Sequence, residues 1–259
     1  GASATLQYNR TVAYTAAVEW ITPFVATGGV SIIKTGVITA NAIKSFNPTS
    51  PLNIGSGATL ANGGFAISGG STLNVVNTGT LLLSGTSVFP VFTTTTLATT
   101  STVNYNGTAQ TVAVKNYGIL LLSGSGNKTF TGATTIAGDL GISGTAVALL
   151  PNATSSSSGS LTLGGVLQTA LGSYGGTGSS ATNPNATWFG SSTTGILNVI
   201  TACISGTWLG ITSTDWNTAT NWCGGNIPTS LSDVTIGVTS NQPIIGAVGG
   251  TCRNITILA

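Results

Sequence analysis

The sequence predicts an all-β chain, a parallel and right-handed β-solenoid of about 20 residues per rung that ends in a tryptophan-rich β cap or connector. Three observations predict it: an unusual composition, a recurring short phrase, and glycines that punctuate the phrase. Charged residues are 4 % of the 259, against about 25 % in an average globular protein. Hydrophobic residues still make up 41 %, among 37 glycines. Disordered chains combine low hydrophobicity with high charge, so this composition excludes that class. Val, Ile and Thr set among many glycines favour strands and tight turns over helix.

The phrase appears as "FAISGG" (65–70), "LLLSG" (81–85 and again 120–124), "LGISG" (140–144) and "LTLGG" (161–165). With Gly69, Gly85, Gly124, Gly144 and Gly164 as markers, the steps are 16, 39, 20 and 20, and Gly107 at the end of "VNYNG" halves the long one. Each unit contains two or three short strands of alternating apolar residues. One such unit cannot bury its apolar face, whereas stacked units bury a continuous column of Leu, Ile and Val. The glycines suit corners where the backbone takes positive φ. Tandem β-sandwich domains are the alternative, since they also have short strands at regular spacing.

Residues 1–29, with "TLQYNRTVAYTAAVEWITPFV", supply N-terminal strands and a first rung. Residues 30–200 form the solenoid. Within it, 167–200 is a Gly/Ser/Asn-rich closing element that returns to an apolar strand after Trp188 and Phe189. Open solenoid ends need covering because bare strand edges template association. Residues 201–259 form a Trp- and Cys-containing β segment, either a cap or the start of another coil.

Composition also excludes functions. The six cations stand singly, so there is no basic stripe for nucleic acid. No run approaches 18 consecutive apolar residues, so no membrane-spanning helix is expected. Histidine is absent and the only acids are Glu19, Asp139, Asp215 and Asp233. Serine and threonine therefore lack an imidazole base, and no carboxylate pair is evident for glycoside hydrolysis. We expect no enzyme, no catalytic residue, no cofactor and no resident metal. A calcium ion held by oxygens of Asp215, Asn217, Asn221 and Asp233 is the one alternative, set against turn-forming Asx residues that bond their own backbone. Starting at Gly and lacking Met, the chain reads as a processed form or an excised fragment.

The densest stretch is "TWLGITSTDWNTATNWCGGNIPTSLSDVTI" (207–236), with three of the five tryptophans. Trp208, Trp216 and Trp222 are either the core of a small unit or a stacking platform for glycans, since each aromatic side chain can bury about 150–250 Å². The cysteines Cys203, Cys223 and Cys252 have no metal-ligand spacing. A Cys223–Cys252 disulfide is the expected pairing, with Cys203 buried or taking the place of Cys223. Read from end to start, the termini join as "NITILAGASATLQYN", in the style of the internal rungs. Leu6, Tyr8, Ile255 and Ile257 are accordingly candidate assembly ends, and an artificial cut between domains is the alternative.

The 167–199 stretch and the segment that follows it resemble repeat modules of large secreted surface proteins of Bacteroidetes-type bacteria. Those modules pair a W-x-G…S-x-D-W-x-x-x-x-N-W…G-x-x-P…D-V-x-I segment with preceding solenoid rungs, and "VNYNGTAQTVAVKNYGILLLSGSGNKTFTGATTIAGDLGISG" (103–144) is similar to such rungs. The likeness covers about 100–259 and supplies no catalytic residues. It implies a secreted, cell-surface protein, often exported by the type IX system, with an adhesive or fibrous role. The function expected is thus a non-enzymatic module of an extracellular filament assembled by head-to-tail β-stacking, with itself as partner. A carbohydrate-binding adhesin module that uses the three tryptophans is the alternative.

Overall fold

The computed structural model describes residues 3–258 apart from 171, 201–205, 211, 224–225 and 240. It is an all-β solenoid of about 12 turns and roughly 21 residues per turn. Its longest sheet stacks Tyr14–Thr15, Val37–Thr39, Thr59–Ala61, Thr80–Leu83, Thr102–Tyr105, Ile119–Leu122, Thr135–Ile142, Ser155–Leu163 and Ile196–Val199. A second face stacks Leu6–Tyr8, Val30–Ile32, Leu52–Ile54, Thr72–Val75 and Thr94–Leu97. Short pairings such as Lys44–Ser45 with Ile67–Ser68, and Gln110–Val112 with Ser125–Phe130 and Thr145–Leu149, form the third. These ladders are parallel, which decides against tandem sandwiches, whose sheets are antiparallel.

The pairing register explains the phrase. Leu60, Leu81, Val103, Leu120, Leu140 and Leu161 are successive partners in the long sheet. All six are buried, and with their neighbours two residues on they make the inner column. Period-2 alternation along each strand sends the intervening residues outward.

The corner that follows is a ladder of backbone on backbone. Thr108 N–H donates to Gly85 O at 3.0 Å, Ser125 N–H to Gly107 O at 3.1 Å and Thr145 N–H to Gly124 O at 3.0 Å. Gly85, Gly124 and Gly144 take φ of 64, 72 and 66°, a region where L-residues with a Cβ are strained. Two of the sequence markers fall outside this column. Gly69 belongs to the third face, where its N–H donates to Val91 O at 2.8 Å. Gly164 lies one residue before the register position, because Leu163 pairs with Ile142.

Inside this corner lies Lys128, fully buried. Its ammonium donates to Gly107 O at 2.8 Å, Thr108 O at 2.7 Å and Gln110 Oε1 at 2.8 Å. Burial without a carboxylate partner disfavours the charged form and pushes the amine down from 10.5 to about 8. Between those two values the unfolded chain holds a proton that the folded chain has released. Stability should therefore rise with pH from about 8 towards 10, by on the order of 2 kcal/mol. Chemical denaturation at a series of pH values checks this, and the rise should be missing from Lys128→Met.

The two ends of the coil differ. In the first turn Tyr8, Trp20 and Phe24 are buried, and the Tyr8 hydroxyl donates to Glu19 Oε1 at 3.0 Å. The Tyr8 side chain is therefore core, and only the backbone edge of Leu6–Tyr8, which has a single neighbour in its sheet, is available at that end. In the 167–200 stretch the strand Gly172–Gly175 runs antiparallel to the last rung, Ile196–Val199, and carries Asn183–Pro184 on its outer side. A reversed strand followed by a proline edge cannot template another parallel turn.

Candidate functional site

The tryptophans form a second hydrophobic core, separate from the column. The strand Asp233–Ile236 supplies Val234 and Ile236 by alternation, and Thr207–Trp208 pairs beside it in parallel. The Trp222 ring meets Trp208 edge-on at 4.9 Å and Trp216 at 4.6 Å between centroids. Its indole N–H donates to Trp216 O at 2.7 Å, and that of Trp208 to Asn241 O at 2.7 Å. All three rings are at most 1 % exposed. None presents a face to a sugar ring, which corrects the glycan-platform reading. Burial is the physical reason: most of the unit's aliphatic side chains are exposed, and its core is made by the three aromatics with Val234 and Ile236.

The Asx residues hold the backbone around this core. Asn221, itself buried, accepts the N–H of Thr212 at 2.9 Å and Ser213 at 3.0 Å and donates to Asp215 O at 2.9 Å. Asp215 accepts the Asn217 N–H at 3.0 Å and the Thr218 hydroxyl at 3.1 Å, at the start of the 3-10 turn Ala219–Asn221. Asp233 faces the Arg253 guanidinium and the Asn254 amide, which hold its carboxyl down at about 2. Asp215, Asn217 and Asn221 thus share one turn-forming hydrogen-bond network, while Asp233 is engaged separately by Arg253 and Asn254. Among the described residues no three of His, Cys, Asp or Glu cluster as metal ligands.

The expected Cys223–Cys252 pairing is corrected: Cys252 is a free, half-buried thiol, while Cys223 is disulfide-bonded. Cys203 lies outside the described residues.

A cavity of about 540 Å³ lies between the outer face of the long sheet and the tryptophan unit, lined by Asp139, Thr102 and Ile119 on one side and Leu209 and Asn241 on the other. Asp139 accepts the Ser160 hydroxyl at 2.8 Å, and burial pushes its carboxyl up. Among the described residues no base or second acid lines the cavity with it.

Of the candidate assembly ends, Ile255 and Ile257 lie on a strand at the edge of a sheet. Asn254–Ile257 pairs in parallel with Asp233–Ile236, placing Ile255 beside buried Val234 and Ile257 beside buried Ile236. Yet Ile255 is 49 % and Ile257 72 % exposed, since among the described residues no strand lies on the far side. The unit is therefore more than a cap: the step from Asp233 to Asn254 repeats the solenoid period. The near-identical tetrads "DVTI" and "NITI" carried that signal in the sequence. No protein-family model, curated protein or solved structure matches this chain.

Proposed function

We propose that the chain is a non-enzymatic structural module of an extracellular or cell-surface fibre, in which solenoid turns stack end to end. One observation carries this reading. Of 20 large hydrophobic side chains exposed among the described residues, four (Val12, Val18, Ile21, Val25) lie in the first turn and nine between Ile227 and Leu258. Apolar surface thus gathers around the first turn and around the open strand Asn254–Ile257 of the tryptophan unit, where uncovered sheet edges call for a partner. Neither end strand contains a charged residue, the usual protection against edge pairing.

Secretion is supported by the disulfide-bonded Cys223, since disulfides persist in oxidising compartments. The resemblance of the 207–236 segment to bacterial surface-protein modules points the same way. Electron microscopy of the purified chain at high and low concentration tests the reading. Unbranched fibres with a regular axial repeat of one copy are expected at high concentration. Dispersed particles at every concentration would overturn it.

A further inference from the structure

The open edge of Asn254–Ile257 is a shaped surface. Trp216, Ile236, Pro243, Ile245, Ile255 and Ile257 line a groove of about 260 Å³ along it. Trp216 is 1 % exposed and its indole N–H has no hydrogen-bond partner. The groove's exposed apolar lining, Ile245, Ile255 and Ile257, has no cover among the described residues. Register decides what fits. Val234 and Ile236 already align with Ile255 and Ile257 one rung on, so the next layer is a parallel strand with apolar residues two apart.

The first strand of the chain has that form. Leu6 and Tyr8 face inward, paired with Val30 and Ile32, and Gln7 faces out. Among the described residues its other edge carries no strand. We propose that the free edge of Asn254–Ile257 accepts a second copy of this chain, whose strand Leu6–Tyr8 adds to it in parallel with Leu6 opposite Ile255 and Tyr8 opposite Ile257. This rests on the fibre reading and names the joint. In that register the exposed Gln7 of one copy stands beside the exposed Thr256 of the other, on the outer face and away from the apolar contact.

The test mixes two full-length variants, Gln7→Cys and Thr256→Cys, each with Cys252→Ser to remove the free thiol. Neighbouring parallel strands lie about 4.8 Å apart, within reach of a disulfide. Under mild oxidation we expect a covalent dimer of one copy of each variant, and none when Thr235→Cys, one rung further in, replaces Thr256→Cys. Ile257→Lys in the otherwise unaltered chain, at an exposed position that spares the core, should raise the concentration needed for fibres by about tenfold or more. Fibres that form without the cross-link and tolerate Ile257→Lys would overturn this joint and leave the fibre reading standing. Cross-linked dimers without fibres would uphold the joint and overturn the fibre. Neither cross-link nor fibre would overturn both.

Discussion

Trp222→Ala is expected to unfold the C-terminal unit and leave the solenoid folded. Trp222 is fully buried between Trp208 and Trp216 and binds Trp216 O through its indole. Truncating a buried tryptophan costs about 3–5 kcal/mol, from lost transfer energy and the cavity left behind. The buried set of this core is only Trp208, Trp216, Trp222, Val234 and Ile236. A unit that small holds only a few kcal/mol of stability, so the loss exceeds what it has. The column from Tyr8 to Val199 shares none of these side chains. Amide exchange and limited proteolysis should show residues 206–258 opened and the coil strands still protected. Joint loss of protection would mean that the two cores fold as one cooperative unit.

The second large effect is expected at the corner ladder. Gly144→Val should destabilise the coil by about 3 kcal/mol or more. The left-handed backbone there, φ 66°, costs a residue with a side chain about 1–2 kcal/mol. A Cβ at this position would also lie 2.5 Å from Gly124 O, which itself accepts the Thr145 N–H. Backbone must move to make room, adding about 1–3 kcal/mol. Solenoid turns contact mainly their neighbours, so exchange protection should fall first in Ile119–Leu122, Thr135–Ile142 and Ser155–Leu163. Gly246→Val is the control, since no atom lies within 4 Å of a Cβ there; its effect on denaturant midpoint should be close to zero. Equal losses at the two sites would refute the ladder explanation.

The parts that were legible in the sequence depend on local repetition. "LLLSG", "LGISG" and "LTLGG" each place two inward apolar residues just before a corner, and the structure buries both in every case. "FAISGG" misled because the third face reuses the same alternation and ends on Gly69 at another corner, so a phrase match is not a register match. Lys128 gave no warning. Its burial depends on carbonyls of Gly107 and Thr108 and on Gln110, about twenty residues earlier, converging inside one turn.

The tryptophans show the division most clearly. Spacing alone left core and glycan platform open, because an indole face looks the same in both. Asn241 O, 33 residues beyond Trp208, completes the closure of that ring, and no local pattern encodes such a contact. The cysteine pairing escaped for the same reason, since bridging depends on positions in space. By itself the sequence determined the all-β solenoid, its period and the apolar end strand, all properties of alternation and repeat along the chain. Only the tertiary structure decided which side chains are sealed and which remain open. Burial at Trp222 and exposure at Ile257 both depend on whether a distant segment supplies the next layer.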